Sequence, residues 1–263
     1  MRTQSMRLFR LFTVIVAIVA TAQSAPGAFA PILIARTANV IPNTGGMTIG
    51  LHMASGVSKS GEVLLVTDVH DPNGPMDYVA SVAWDAGALN LITREGMPAP
   101  GMPGITLTQA IMSISGETRA LEGVRVGPGF NSTSRALWLA EGASPFSPVM
   151  AVGMPAPSLP GLTVNSWNGF SLGHGHNPIR ADLVGQGDPI RALYDASPTS
   201  IRLLTREQTL APAPLNDRNV LKIDRAATPA ASSDLIVQLE TGSSQFGLRS
   251  LWRAQAVPSP SRR

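Results

Sequence analysis

The chain has 263 residues, with 20 Lys and Arg against 17 Asp and Glu, 44% hydrophobic residues and no cysteine. The lack of cysteine excludes disulfides, thiolate zinc sites and cysteine nucleophiles. The two lysines, Lys59 and Lys222, and the dispersed arginines form no basic cluster of the kind that binds nucleic acid.

The N-terminus has the features of a secretory signal peptide over residues 1–24. Three arginines and no acid come first, an apolar run follows, and small residues stand before the cleavage points that fit best, after Ala22 and Ser24. An uncleaved N-terminal anchor is the alternative. With the signal removed, the chain has 17 basic and 17 acidic residues and a formal net charge of zero. The sequence therefore predicts export to the periplasm, the cell surface or the medium, with no membrane span after cleavage.

Two nearly identical segments, "GMPAPGMPG" at 96–104 and "GMPAPSLPG" at 153–161, are too rich in proline and glycine for a helix interior or a central strand. Degenerate copies end the strings "PILIARTANVIP" and "IRLLTREQTLAP". All four copies contain a corresponding proline, and these prolines are separated by 58, 57 and 55 residues: Pro42, Pro100, Pro157 and Pro212. In the third copy, Ala151 stands six residues before the proline. In the other three copies an arginine stands at that position: Arg36, Arg94 and Arg206. Gly96 and Gly153 open the two clearest copies.

A second landmark repeats between these loops. Each of the strings "SVAWDAG", "ALWLAEG", "ALYDASP" and "SLWRAQA" places one large aromatic residue in a short apolar run. The aromatic residues are 54, 56 and 58 positions apart: Trp84, Trp138, Tyr194 and Trp252. A residue that occurs once in each unit is typical of packing between units.

The two landmarks define units of about 56 residues, each with four short strands, and this is typical of β-propeller blades. Complete blades are predicted at 47–94, 105–152 and 162–205. A single strand at 31–37 and three strands at 218–253 remain. We therefore predict an all-β, four-bladed propeller over 31–254, in which the N-terminal strand completes the last blade and residues 255–263 form a disordered tail. An open β-sandwich or a solenoid is the structural alternative.

The strings "LITREGMPAPG", "ISGETRALEGVRV" and "ALWLAEG" resemble units of uncharacterised secreted bacterial repeat proteins that carry G-x-P-A-P-G loops. The resemblance extends over about residues 31–254. The third unit departs from it at "HGHNPIRADLVG" and the fourth at "TPAASSDLIVQL". The resemblance implies a propeller-like fold outside the cytoplasm, and it implies no activity.

Few segments suggest chemistry. The string "GFSLG" at 169–173 matches G-x-S-x-G, but no helix pattern follows Ser171, and no distant histidine follows it in the chain. His174 and His176 could share a metal on one face of a strand, although the surrounding glycine and proline favour a turn. The loop "TDVHDPNG" misses the calcium-binding pattern, and its Asp-Pro and Asn-Gly pairs are ordinary turn formers.

The sequence favours a non-catalytic propeller that serves as a binding or structural module at the cell envelope, with an unknown protein or carbohydrate as its ligand. It predicts no catalytic residue, metal or cofactor, and it leaves His174, His176 and Asp182 as weak ligand candidates. The alternative is a propeller hydrolase of glycans or esters that uses carboxylates from different blades. The carboxylates on or beside the second strands are Asp68, Glu122, Asp182 and Asp234.

Overall fold

The computed structural model describes residues 33–74, 78–131, 134–173, 176–211, 219–227, 235–243 and 246–254. Several predicted features lie outside these residues: the signal peptide, residues 31–32 of the predicted first strand, His174, Pro212, Asp234 and the tail at 255–263. Among the described residues, every regular secondary-structure element is a β-strand. The all-β prediction is therefore confirmed.

The described residues form fifteen antiparallel strands in four sheets, and in each sheet the strands lie in chain order. The first sheet contains β1 (Thr48–Val57), β2 (Val63–His70), β3 (Tyr78–Asp85) and β4 (Ala88–Arg94). The second contains β5 (Thr106–Ser115), β6 (Thr118–Val126), β7 (Arg135–Glu141) and β8 (Ser147–Ala151). The third contains β9 (Thr163–Phe170), β10 (Pro178–Val184), β11 (Ile190–Ser197) and β12 (Ser200–Arg206). The fourth contains β13 (Asn219–Ala227), β14 (Leu235–Ser243) and β15 (Phe246–Ala254).

The first three sheets coincide with the predicted blades at 47–94, 105–152 and 162–205. The fourth sheet has three strands in the described part of the chain. Residues 33–37, which belong to the predicted closing strand, lie outside any strand, and no pairing with β15 is observed among the described residues. The four antiparallel sheets are thus established, whereas the closed propeller ring remains a prediction.

The sheets pack face to face in chain order because both faces of their strands are apolar. In β2, Leu64 faces the second sheet and packs with Met112 and Ile114, while Val63 and Leu65 pack on the opposite face. Further apolar clusters join the second sheet to the third and the third to the fourth. Alternation with period two along a strand places successive side chains on opposite faces, so each inner sheet contributes to two cores.

The fourth strand of each complete sheet also packs against the sheet that follows. Ile92 on β4, Val149 on β8 and Leu204 on β12 lie in apolar clusters with residues of the next sheet. Ile34, which stands eight residues before its loop proline as these three do, packs in the same way on the first sheet. The N-terminal segment therefore occupies the place that a preceding fourth strand would have.

The first two sheets approach closely where β1 ends. A Cβ added to Gly56 would overlap the carbonyl oxygen of Ile114 on β5. Just beyond this point Ser58 forms an isolated parallel bridge with Gly116, and the amide of Lys59 donates to the Gly116 carbonyl at 3.0 Å. Only glycine permits this backbone approach.

Candidate functional site

Four segments that lead into the sheets have the same backbone hydrogen bonds, and we call them joints. They are residues 38–49, 96–107, 153–164, and 208–220 without 212–218. In each joint an amide near its start donates to the carbonyl of the second residue of the following strand, at 2.7 to 2.8 Å. The donors and acceptors are Ala38 to Ile49, Gly96 to Leu107, Gly153 to Val164, and Gln208 to Val220. The loops found by their prolines thus share one local structure.

The donor residue of each joint has a left-handed backbone. Its φ is 67° at Ala38, 80° at Gly96, 85° at Gly153 and 66° at Gln208. Glycine adopts this conformation without steric cost, while residues with a Cβ do so at a cost. The glycines of the two clearest loop copies are therefore explained by the turn, and the two outer joints form the same turn without glycine.

The two sequence landmarks meet in the second and third sheets. The indole Nε1 of Trp138 donates to the carbonyl of Pro100 at 3.1 Å, and the hydroxyl of Tyr194 donates to the carbonyl of Pro157 at 3.2 Å. Both rings are fully buried. Burial also raises the pKa of Tyr194 to about 12, because the phenolate form would lose its hydration. Each aromatic residue thus ties its own sheet to the joint that leads into it.

Trp84 stands at a different point of its sheet. The amides of Glu95, Val152 and Glu207 donate to the carbonyls of corresponding residues on the third strands, which are Val79, Arg135 and Arg191. Three residues further along these strands lie Val82, Trp138 and Tyr194. Val82 therefore takes the position of the buried aromatic residue in the first sheet, and Trp84 lies two residues beyond it and is half-buried.

Trp252 lies on β15, opposite Val237 of β14. It packs against the apolar cluster between the third and fourth sheets. Pro212, which would be its partner by analogy, lies outside the described residues.

The three repeated arginines have different contacts. Arg94 lies 3.9 Å from Asp71 and stacks over the ring of Tyr78, with 5.6 Å from its guanidinium carbon to the ring centre. Arg36 is exposed, and its amide donates to the side chain of Asn39 at 2.7 Å. Arg206 contributes its carbonyl, which accepts from the Thr209 hydroxyl at 2.7 Å. No common arginine site follows from their spacing.

Two glutamates that follow these arginines were missed by the sequence interpretation. The carboxylate of Glu95 accepts the amide of Gln109 at 2.8 Å, and that of Glu207 accepts the amide of Ile223 at 3.3 Å. Both amides lie at irregularities in the first strand of the next sheet, where the ladder leaves a donor unpaired. The shared string "TRE" in the two loop copies was the available signal.

Asp182 is the only weak ligand candidate with several polar neighbours among the described residues. Its Oδ2 accepts from the Ser166 hydroxyl at 2.8 Å and from the Asn168 amide at 2.6 Å. Its Oδ1 accepts from Nε of Arg191 at 3.1 Å. The carboxylate charge is therefore compensated within the third sheet, across β9, β10 and β11.

Of the other carboxylates, the two that the structure describes, Asp68 and Glu122, lie in different sheets from Asp182. Glu122 pairs with Arg135 on the next strand of the second sheet. Arg135 also stacks over the ring of Trp167, at 4.9 Å from the ring centre. Asp68 is exposed on β2, and Asp234 lies outside the described residues. Glu122 and Asp182 are thus each paired with an arginine of their own sheet.

His176 is buried and holds a loop together. Its Nδ1 lies 2.6 Å from Oδ2 of Asp195, which also accepts from Arg202 at 3.3 Å. The other oxygen of Asp195 accepts the amide of Asn177 at 3.1 Å. Nε2 of His176 is buried without a hydrogen-bond partner. No group of three possible metal ligands occurs among the described residues.

Within the described part of the chain, the G-x-S-x-G segment forms no hydrolase triad with a histidine. Ser171 follows strand β9, and its amide donates to the carbonyl of Pro178 at 3.3 Å. Its hydroxyl is buried and has no hydrogen-bond partner, as is also true of Nε2 of His176. Because each atom lacks a partner, the two are not bonded to each other, and the histidine does not activate the serine.

The described residues contain no helix that is long and apolar enough to span a membrane. Comparison of the chain with protein family models, with curated proteins and with solved structures found no match.

Proposed function

We propose that this protein is an exported four-bladed β-propeller that acts as a non-catalytic binding or structural module at the cell envelope. Its ligand would be a protein or a carbohydrate, held by the joints. The observation that carries the non-catalytic part is the pairing of Glu122 and Asp182, each with an arginine on the neighbouring strand of its own sheet. Carboxylates engaged in this way are poor acid and base catalysts, because their lone pairs and charge are already used.

Ring closure is supported by two complementary observations. The fourth sheet has three described strands, and Ile34 packs on the first sheet in the position that fourth strands take elsewhere. Pairing of the N-terminal segment with β15 would give the fourth sheet a fourth strand, and it would explain why this segment packs on the first sheet. It would also protect β15, where the side chain of Leu251 is 74% exposed, from pairing with other chains.

Closure is testable with spin labels, because the chain contains no cysteine. Labels would be attached to cysteines introduced at the exposed positions Leu33 and Leu251. We expect a short distance between the labels in the monomer, since adjacent strands lie about 4.8 Å apart. The pair Asp85→Cys and Ala88→Cys, which face each other across β3 and β4, gives the reference distance. A separation much longer than this reference would refute closure.

The binding role is tested by an array of glycans and peptides probed with the labelled mature protein, together with a panel of chromogenic glycosides and esters. We expect a ligand on the array and no turnover in the panel. Hydrolysis that is abolished by Asp182→Asn would overturn the proposal in favour of an enzyme. A ligand that still binds after alanine replacement of the joint residues would contradict the assignment to the joints.

A further inference from the structure

The first joint borders an open cavity of about 520 Å³. It is enclosed by the N-terminal segment from Leu33, by the joint as far as Pro42, and by the β3–β4 hairpin with Trp84 and Leu89. We call this cavity the first-joint groove.

In the second sheet, large aromatic side chains stand at two positions, one that corresponds to Leu89 of this groove and one that corresponds to Val82, which is buried in the cluster beside it. Trp138 donates to the Pro100 carbonyl, and Phe146 packs between Ile92 and the joint residues around Met102. Phe146 corresponds to Leu89, since the following residues, Ser147 and Asn90, pair with equivalent positions on β7 and β3.

The first sheet has smaller side chains at both positions, Val82 for Trp138 and Leu89 for Phe146. Ile41 fills part of the space, because it replaces the alanine found at Ala99 in the second joint. Trp84 lies further out, as a half-buried wall of the groove. Among the described contacts, the carbonyl of Pro42 accepts no hydrogen bond, although the equivalent carbonyls of Pro100 and Pro157 do.

The lining of the groove contains both polar and apolar groups, and two of its apolar side chains are exposed. The side chains of Leu33 and Val40 are 61% and 58% exposed, and both line the groove. Clustered exposed apolar side chains mark interaction sites on soluble proteins. Arg36 lines the same groove, is exposed, and forms no ion pair within the described residues. Its positive charge is therefore available to an acidic group on a ligand.

We infer that the first-joint groove binds a tryptophan or tyrosine side chain of a partner polypeptide, next to an acidic residue. The ring lies against Trp84, and its N–H or O–H donates to the carbonyl of Pro42, as Trp138 and Tyr194 do within the chain. The acidic residue faces Arg36. This inference rests on the proposed binding function and names one class of ligand for it.

The test uses the blocked peptide acetyl-Glu-Trp-Gly-amide as probe, with binding to the mature protein measured by nuclear magnetic resonance titration. Replacing the tryptophan by leucine removes the ring and the donor, and replacing the glutamate by lysine reverses the charge. We expect the leucine peptide to bind about tenfold more weakly. The lysine peptide should bind about fivefold more weakly, because the ion pair with Arg36 is exposed.

Three variants locate the site. Trp84→Ala should weaken binding about tenfold, and Val82→Trp should block it by supplying a donor to Pro42 from within the chain. Arg36→Glu leaves the core intact and should reverse the preference, so that the lysine peptide binds better than the glutamate peptide. Val126→Ala, at an exposed apolar position on β6, should leave binding unchanged.

The inference is overturned if the tryptophan peptide fails to bind, if the leucine peptide binds as well, or if Arg36→Glu leaves the charge preference unaltered. These outcomes would not affect the broader binding proposal. That proposal is tested separately, by the array and by the turnover panel.

Discussion

Trp138 and Tyr194 connect the two repeated sequence features, because each aromatic side chain contacts a proline of the repeated loop. Each places a large buried ring between a sheet and a joint, and each completes its hydrogen bonding with a proline carbonyl. A buried carbonyl that loses its donor pays the cost of lost hydration. The hydrogen bond therefore holds the joint against the sheet, and it adds to the stabilisation that burial of the ring provides.

Tyr194→Phe should destabilise the protein by about 1 kcal/mol, because it keeps the ring and leaves the Pro157 carbonyl unpaired. Urea unfolding of the variant and the parent measures the difference. Tyr78→Phe, at the other tyrosine of the chain, is the matched control and should have a smaller effect. Equal effects of the two substitutions would mean that the hydrogen bond of Tyr194 contributes little.

Tyr194 should also make stability depend on alkaline pH. Its pKa in the folded protein is raised to about 12 from 10.0, so the folded state holds the phenolic proton more tightly than the unfolded state. This contribution is complete below pH 10 and is lost as the pH rises from 10 to about 12. A tyrosinate absorbance titration of the Tyr78→Phe variant, in which Tyr194 is the sole tyrosine, should show no ionisation near pH 10 while the protein is folded. Ionisation at that pH without unfolding would contradict the burial effect.

At the scale of elements, the joints and the contacts between sheets hold the four sheets together. Three joints connect the last strand of one sheet to the first strand of the next, the first joint leads from the N-terminal segment into β1, and each contains a left-handed residue at its start. The sheets also meet through backbone, as at Gly56, where β1 lies against β5. The spacing between sheets is therefore set by small residues as well as by apolar side chains.

Gly56→Ala tests this contact. The new methyl group would overlap the Ile114 carbonyl oxygen, and overpacking of this kind typically costs about 1–3 kcal/mol. Gly123→Ala in β6 is the control, since a Cβ there meets the Leu107 side chain at an ordinary 3.4 Å. Thermal unfolding of both variants should show a clear loss of stability for Gly56→Ala alone. Similar melting temperatures would mean that the two sheets can separate slightly without cost.

The strand content and the sheet boundaries could be predicted from the sequence because proline and glycine recur at one spacing and apolar runs alternate between them. The position of the aromatic residue in the first sheet could not be predicted in this way. Trp84 matches the spacing of Trp138 to within two residues, and a shift of two keeps the side chain on the same face of the strand. The contacts of Asp182 and Glu207 also escaped prediction, because they join residues of different strands across the sheet.

For the whole molecule, the main question is whether the first and fourth sheets meet through the N-terminal segment. The N-terminal segment packs on the first sheet, and the fourth sheet has an exposed residue, Leu251, on its last strand. Under the proposed closure, these ends meet and β15 is no longer an edge strand.

A chain that begins at residue 38 tests the need for the proposed closing strand. We expect the truncated protein to self-associate through the edge of β15, because an unpaired strand is a template for further pairing. Light scattering after size-exclusion chromatography measures the molecular mass. Removal of residues 255–263 is the control and should leave a monomer. A monomeric N-terminal truncation would show that this segment does not protect the edge.

The left-handed residues of the joints differ along the chain, and this difference has a consequence for unfolding. The second and third joints use glycine, whereas Ala38 and Gln208 adopt the same backbone in the first and fourth joints. A residue with a Cβ in this conformation costs about 1–2 kcal/mol, so each outer joint carries strain at this residue that the inner joints lack. Ser158 of the third joint is also left-handed, so only the second joint has glycine at every left-handed position that the structure describes. Hydrogen exchange should then be slowest at the second joint and faster at the two outer joints. Thermal opening would begin in the first and fourth sheets, while the central pair of sheets remains folded.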